Sequence, residues 1–429
     1  MSRGWNPRAA GPVKSLWESK TLASATDHKD LRTGTPVWLG GARPRMPTAD
    51  IRDLPRSSDV VVIGAGITGA MVADALTSAG FSVVVLDRRA PCSGSTPAST
   101  ALLQFEIDTP LIHLGRKIGV KKAQRAWLRS AKAVDDLAHR IGELRLDCEF
   151  RRRSAIYLPG NVLGVRGLDA ELKARQAIGL PSERLDRDAL KRRTGIDRPM
   201  ALVSSGAAEV DPLKLAAGLL RHSVRKGARL FAPVQVDDVV PGRSGVTVVI
   251  AGGDAIRTRF VVFCTGYEVP KCVPMKGHKI ISTWCIATRR QPRRLWPARE
   301  LIWEAHDPYI YIRTTADGRV IAGGGDEDFS DEATRDALLT RKTEALKRKL
   351  KGLLPRLDVE PEFRWTGSFG DSDTGLPTIG AIPGMKGCSA VLGYGGNGIT
   401  FSMMAAQLIH RQLSGIDDPD RDLFAFPRS

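Results

Sequence analysis

The stretch Asp59 to Asp87, DVVVIGAGITGAMVADALTSAGFSVVVLD, constrains the chain more than any other. Val60 to Ile63 is a short run of β-branched residues ended by glycine, which predicts a buried parallel strand. Gly64, Gly66 and Gly69 follow as G-x-G-x-x-G. Thr68 to Ser78 predicts a helix that Gly80 ends, and Phe81 to Leu86 a second buried strand closed by Asp87. Each glycine has a task. Gly64 turns the chain out of the strand, Gly66 lets a pyrophosphate approach the backbone, and Gly69 lets the helix pack on the strand. Phosphates would lie on the free N–H groups at the helix N-terminus, at Ile67 and Thr68. Asp87 would accept from ribose hydroxyls, with Arg88 beside it. An acid here disfavours a 2′-phosphate, which argues against NADP; NAD and FAD stay open on this stretch. The structural alternative is a glycine-rich turn in an α/β core.

A chain of 429 residues is long enough for a large core and two domains. Met1 to Lys20 lacks the apolar core of a secretory signal. The apolar stretch Val60 to Leu86 reads as strand, turn and helix, because its glycines and Asp74 do not suit a membrane span. Six scattered cysteines form no C-x-x-C, so reduced thiols in a cytoplasmic protein are expected and a zinc site is not. The net charge of +17 raises the question of an anionic partner. Residues 107–204 hold 21 Lys/Arg against 12 Asp/Glu. Lys117, Lys121, Lys122, Arg125 and Arg129 have helical spacing and read as one solvated face. An anion- or RNA-binding patch is the alternative, and nucleic acid is not the expected partner.

Residues 1–57 read as an irregular N-terminal extension in which Trp17 and Trp38 suggest packing. Pro91 to Thr100 is a Ser/Thr/Gly loop leading to a helix or strand at Ala101 to Phe105. Helices are predicted over 111–144, 212–226 and 331–354, with short ones over 168–190. Strands are predicted over 149–158, 230–240, 246–250, 260–265 and 279–289. Ser205 to Pro212 reads as a turn. Tyr309 to Arg313 and Arg319 to Gly324 flank Asp317-Gly318 as a hairpin. Trp365 to Gly380 is loop and strand. Val391 to Gln407 (VLGYGGNGITFSMMAAQ) reads as strand, glycine-rich turn and helix, a second helix N-terminus suited to a ligand.

Taken in order, GAGITG with Asp87, GSTPAST, AEVDP, the strand VVFCTG, the PYIYIR hairpin, W-x-G-x-F-x-x-S-x-T-G-L-P-x-I-G and GYGGNGITFS resemble the D-amino-acid oxidase superfamily of FAD-dependent oxidoreductases. The likeness is to its glycine, sarcosine and γ-glutamylputrescine oxidase group, from about Asp59 to the last helix. The resemblance implies an α/β fold: a three-layer, discontinuous Rossmann-type FAD-binding domain (58–106, 205–270 and 365–429) and an inserted α+β substrate domain with an antiparallel sheet (107–204 and 271–364). It implies non-covalent FAD over Gly64 to Gly69 and Asp87. Gly94, Ser95, Thr96, Ser99 and Thr100 would line the pyrophosphate and flavin side, and Val234 would meet the adenine. Thr265 and Gly266 would add a strand-end contact. Gly395, Gly396, Asn397, Gly398, Ile399 and Thr400 would lie under the pyrimidine edge of the flavin, where N–H groups stabilise negative charge at N1.

The activity implied is oxidation of the C–N bond of a small amine or amino acid, by hydride transfer to flavin N5 and hydrolysis of the imine. Oxygen or another acceptor would reoxidise the flavin. C–O oxidation of a 2-hydroxy acid or glycerol phosphate, and an RNA-associated flavoprotein, are the competing readings. Many relatives carry an arginine after W-x-G-x that clamps the substrate carboxylate; here Phe369 stands in its place, so Arg313 of the hairpin is the candidate clamp. The lysine that sarcosine-oxidase-type members keep on the returning strand is missing from Val320 to Gly323, and no cysteine lies in Trp365 to Gly380 for a covalent link. By period two, Tyr309, Tyr311 and Arg313 share one face, facing either the flavin or away. Gln104 and Glu106 are candidates for the flavin ring or the core. His278 and His306 read as satisfied or surface histidines rather than bases.

Overall fold

The computed structural model describes residues 24–427. The expectations for Met1 to Lys20 and Trp17 fall outside them. The first half runs β1 (Ser57–Ile63), α1 (Ile67–Ser78), β2 (Val83–Leu86), β3 (Leu102–Leu103), α2 (Leu111–Ile118), α3 (Val120–Glu143), β4 (Arg151–Leu158), α4 (Val165–Gln176), β5 (Ser182–Asp186), α5 (Arg187–Thr194), β6 (Met200–Glu209), α6 (Pro212–Arg225) and β7 (Arg229–Phe231). There follow β8 (Val236–Gly242), β9 (Gly245–Ile250), β10 (Ala255–Phe263), β11 (His278–Thr288), β12 (Leu301–Glu304), β13 (Ile310–Thr314) and β14 (Val320–Glu327). The chain ends with α7 (Glu332–Ala337), α8 (Leu339–Leu353), β15 (Pro361–Ser372), β16 (Thr378–Ala381), β17 (Cys388–Leu392), α9 (Gly398–Leu413) and α10 (Arg421–Phe424).

Two sheets organise these elements. The first has the order β16-β17-β10-β1-β2-β7, with β8 and β9 continuing from β10. From β17 to β7 its strands are parallel, in register Val60↔Val83 and Val60↔Phe260 around β1. The period-two rule shows in its two cores. Val60, Val62, Val83 and Val85 pack against α1, α3, α6 and α9. Val61, Ile63, Val84 and Leu86 pack on the other face against β8, β9 and Ile256. Three layers result, the arrangement a strand buried on both faces requires. The second sheet has the order β15-β11-β14-β13-β12-β4-β6-β3, with β5 on β6, and is antiparallel except at β12–β4.

The α/β reading thus holds, and the details that differ have local causes. Ser205 to Glu209, expected as a turn, belongs to β6: the Ser-Ser-Gly-Ala-Ala run has low strand propensity, but β3 and β4 pair with it on either side. Asp211 then caps α6, accepting from the N–H of Leu213 and Lys214 at 2.9 and 3.0 Å. β5 interrupts the helices expected over 168–190, and β12 had no signal. The expected domain limits at 205 and 365 lie inside β6 and β15 of one sheet. The basic face of α3 is only partly solvated. Arg125 pairs with Asp420 and Asp422, and Arg129 with Asp418, so these cations clasp the segment before and into α10.

Residues 31–38 lie along the open edge of β15. The carbonyls of Leu31 and Thr33 accept from the N–H of Ser368 and Thr366, at 3.1 and 2.9 Å, and the Thr35 N–H donates to the Arg364 carbonyl. Trp38 packs as expected, its Nε1 donating to the Ser99 carbonyl at 2.7 Å. No helix among the described residues is long and apolar enough to cross a membrane. The six cysteines are free, and no metal-binding cluster occurs among the described residues.

Candidate active site

The carboxyl ends of β1, β2 and β10 open onto a cavity of about 1750 Å³, solvent at its mouth included, whose lining comes from both sheets. The turn after β1 gives it one wall. Gly64 has φ +109, and a Cβ on it would stand 2.3 Å from the Cys264 carbonyl oxygen. A Cβ on Gly69 would stand 1.8 Å from the Gly64 oxygen, so this glycine serves helix–strand packing and does not line the cavity. Gly66 differs: its nearest neighbour to such a Cβ is the Thr96 hydroxyl at 3.1 Å, and the cavity lies over it. Those are the three glycine roles of a dinucleotide turn. Ile67 and Thr68 open α1 on the cavity wall. The Ile67 N–H donates to the Thr96 hydroxyl at 3.0 Å, and the Thr68 hydroxyl meets that of Ser402 at 2.8 Å.

Asp87 lines the same end. Its carboxylate accepts from the N–H of Ala65 and Arg89, at 2.7 and 2.8 Å, while burial pushes its pKa up. Arg88 lines the cavity beside it and donates to the Asp27 carbonyl at 2.9 Å. Arg89, which had not been singled out, forks onto Glu268 at 2.5 and 2.6 Å, and Arg88 pairs with the same carboxylate. Burial pushes Glu268 up, but the Arg89 bonds and the Lys29 N–H outweigh it and hold the carboxyl below its usual value. Ser24, Ala25, Thr26 and Leu31 complete this wall. Nothing in the sequence signalled it, because an irregular segment carries no periodicity.

The other expected cofactor positions converge here. Gly94, Ser95, Thr96, Ser99 and Thr100 line the cavity, as do Val234, Thr265 and Gly266. The Val234 N–H donates to the Asp87 carbonyl at 2.7 Å, which links that loop to the end of β2. From the far end of the chain, Gly395, Gly396, Asn397, Gly398 and Ile399 line it too. Thr400 does not. It is buried and its hydroxyl donates to the Gln104 carbonyl at 2.9 Å, fixing the turn rather than facing a ligand. Asn397 does similar work through the Glu106 carbonyl at 2.7 Å.

FAD fits this lining on two observations. The backbone at Gly66 is bare toward the cavity. In addition, the Gly395–Gly396 turn already holds an anionic group, since Asp108 accepts from the Gly396 N–H at 2.7 Å. A turn that seats a carboxylate at the start of α9 offers N–H donors to an electron-rich edge of a ligand.

Beyond the turns the cavity runs under the antiparallel sheet. Gln104, Tyr309, Tyr311 and Phe369 line it as expected, and Thr283 and Trp303 join them. Trp303 stacks on Tyr157 with ring centroids 3.9 Å apart. The Tyr311 ring lies across Gly323, whose Cβ would stand 2.4 Å from the phenol oxygen. Burial raises the pKa of both Tyr309 and Tyr311, which stay protonated.

Arg313 is the correction. Period two places it on the face of Tyr309 and Tyr311, but the cavity ends before it. Its Nη1 donates to the carbonyls of Ala101 and Val210 at 2.8 and 2.9 Å, its Nε to Thr314 at 2.9 Å, and its guanidinium stacks on Trp38. Buried and outside the cavity lining, it does not face a substrate carboxylate. Glu106 turns to the core, 3.7 Å from buried Arg175. His278 bonds the Thr378 hydroxyl at 2.7 Å, burial lowering its pKa, and His306 is at the surface.

Comparison with known proteins agrees with this geometry. Residues 59–412 match the family described as FAD dependent oxidoreductase (DAO). The chain is 26% identical over 379 residues to γ-glutamylputrescine oxidoreductase of Escherichia coli, covering 86% of each protein. It is 25% identical to glycine oxidase of Pseudomonas aeruginosa, over 84% of this chain and 95% of that one. The fold superimposes on the crystal structure of glycine oxidase from Geobacillus kaustophilus with a TM-score of 0.73 at 20% identity, covering 87% of this chain and 100% of that one. With both glycine turns on one cavity and the family match running through most of the sequence, the chain belongs to the DAO family of FAD-dependent oxidoreductases.

Proposed function

We propose that the protein oxidises the C–N bond of an amine or amino acid in the aromatic end of the cavity. The observation that carries this reading is the continuity of the cavity from the dinucleotide turns to Tyr309, Tyr311, Trp303 and Phe369. FAD bound there would supply a hydride acceptor for the carbon beside nitrogen, and water would hydrolyse the imine left behind. The residues of this chain do the rest. Gly66, Ile67 and Asp87 anchor the dinucleotide, and Gly395 to Ile399 present N–H donors where negative charge develops. The aromatic side chains exclude water and hold the reacting carbon in place. The cofactor is held without a covalent bond: among the described residues no histidine lines the cavity, and Cys264, the one cysteine among them that does, is a buried thiol whose pKa burial drives far up. The γ-glutamylputrescine and glycine oxidising relatives support amines as the substrate class. Glycerol phosphate would need a cation for its phosphate at the aromatic end, and among the described residues none lines it. Free cysteines suit a reducing compartment such as the cytoplasm.

The test is anaerobic. FAD-loaded protein is mixed with amines, amino acids and hydroxy acids and the flavin absorbance is followed; air is then admitted to learn whether oxygen restores the colour. Bleaching by amines or amino acids is expected. Bleaching by hydroxy acids alone would overturn the C–N reading.

A further inference from the structure

The aromatic end of the cavity carries charge of one sign. Among its lining residues Gln104, Asp108, Thr283, Trp303, Tyr309 and Tyr311, the only ionised group is the Asp108 carboxylate, which is exposed to the cavity. The cations of the lining, Arg88 and Arg89, are at the opposite end and tied to Glu268. Arg313 is spent on backbone carbonyls. Next to the Thr283 and Tyr309 hydroxyls stands a second carboxylate, Asp326 of β14, whose Oδ1 is buried with no hydrogen-bond partner. Lys342 is close enough to Asp326 to matter, but its ammonium is already held by Glu327 and by the Gly325 carbonyl.

A second observation points to a ligand. Gln104 and Trp303 are 8% and 6% exposed, both line the cavity, and Gln104 Nε2 and Trp303 Nε1 have no hydrogen-bond partner. Buried donors left open in a native fold call for an explanation, and a polar ligand supplies one.

Resting on the amine-oxidising reading, we infer that Asp108 and Asp326 are specificity residues that select a substrate carrying a positive charge and no carboxylate: an aliphatic diamine or a similar cationic amine rather than an amino acid. Two carboxylates at a low-dielectric aromatic wall attract an ammonium group and repel a carboxylate. One nitrogen stays charged against the acids. The other would react neutral: FAD held by the two glycine turns would supply the hydride acceptor for the carbon beside it, its N–H proton would pass to water, and hydrolysis of the imine would give an aldehyde and ammonia. The open donors of Gln104 and Trp303 take an acceptor atom or a water bridging to the substrate.

The test uses FAD-loaded protein and equilibrium binding of two non-oxidisable probes, butyltrimethylammonium and pentanoate, read by calorimetry and by perturbation of the flavin spectrum. Oxidation of 1,4-diaminobutane, butylamine and 4-aminobutanoate is followed alongside. The ammonium probe should bind and pentanoate should not. The diamine should have a KM at least about tenfold below butylamine, with 4-aminobutanoate worse still, since a charge-assisted contact is worth roughly that factor or more. D326N and D108N should each weaken the ammonium probe and raise the diamine KM about tenfold, and in D326N, outside the flavin turn, the butylamine KM should stay within about twofold. Pentanoate binding as tightly as the ammonium probe, or variants that shift all three substrates equally, would overturn the inference. The two readings fail separately: cation binding without bleaching by any amine removes the oxidase reading alone, and bleaching by amino acids without cation binding removes this one alone.

Discussion

Replacing Arg313 by methionine separates a structural role from substrate recognition. The side chain is 2% exposed and joins three parts of the molecule: β13, the loop at Ala101, and the end of β6 at Val210. Two of its bonds, at 2.8 and 2.9 Å, cross between these parts, while a third to the Thr100 carbonyl is long at 3.3 Å and the Thr314 contact is local. A hydrogen bond from a charged donor contributes about 1.5–3 kcal/mol, and removing it strands a buried carbonyl. Glu209, 1% exposed, would also lose the cation 3.7 Å from it and keep only Arg153. Methionine refills much of the volume, so the expected loss is about 3–5 kcal/mol, the range for breaking a buried charged contact on one side. For a domain of this scale each kcal/mol moves the melting temperature by about 2–4 °C, which gives a drop on the order of 10 °C. Scanning calorimetry of apo and FAD-loaded R313M, beside steady-state kinetics, checks both halves. The surviving folded enzyme should keep KM within about twofold, since no substrate touches the guanidinium. An unchanged melting temperature with a KM raised a hundredfold for carboxylate-bearing substrates alone would refute the structural assignment.

Other substitutions and a titration test the rest. Gly66→Ala should fold, because its new methyl meets only the Thr96 hydroxyl at 3.1 Å, yet lose FAD affinity by about tenfold or more as the pyrophosphate is pushed off the backbone; fluorescence titration with FAD reads it. Gly69→Ala should instead yield little folded protein, since its Cβ would fall 1.8 Å from the Gly64 oxygen, and gel filtration of soluble fractions reports that. Glu268→Gln leaves Arg88 and Arg89 without their common partner, and should speed FAD release several-fold and open residues 24–36 to protease. The pH dependence has a definite sign. Burial raises Asp326 to about 7, with Asp108 adding and Thr283, Tyr309 and Lys342 opposing; the protein walls of the cavity around the Asp108 carboxyl strip water from it and raise it to about 6, with Asp371 adding and the Gly396 N–H opposing. Both are neutral below these values, so affinity for a cationic amine should grow as pH rises through 6 to 7, and a KM for the diamine that is flat between pH 5 and 8 would contradict the ionisations.

What the sequence disclosed followed from how local each signal is. The first glycine turn is read from adjacent residues whose spacing is the function, so Gly64, Gly66, Gly69 and Asp87 could be given their tasks before any fold was known. The second turn, from Gly395 to Ile399, is legible for the same reason. Period two correctly put Tyr309, Tyr311 and Arg313 on one face, but a face does not say where a cavity stops, and it stops short of Arg313. Thr283, Trp303, Asp108 and Asp326 come from three strands and a loop that only the antiparallel sheet brings together, and none stands in a pattern that marks it out. The Ser205–Glu209 segment shows the converse, a stretch of poor strand formers made extended by partners on either side.

The two turns meet across a long separation: the hydroxyls of Thr68 and Ser402 touch although 334 positions divide them. A ribosome releasing this polypeptide exposes α1 long before α9 exists, so the nascent chain has half a binding cleft and nothing to close it with. Capture of the flavin therefore waits until synthesis is nearly finished, and a truncation that removes only the last few dozen residues leaves an apoprotein.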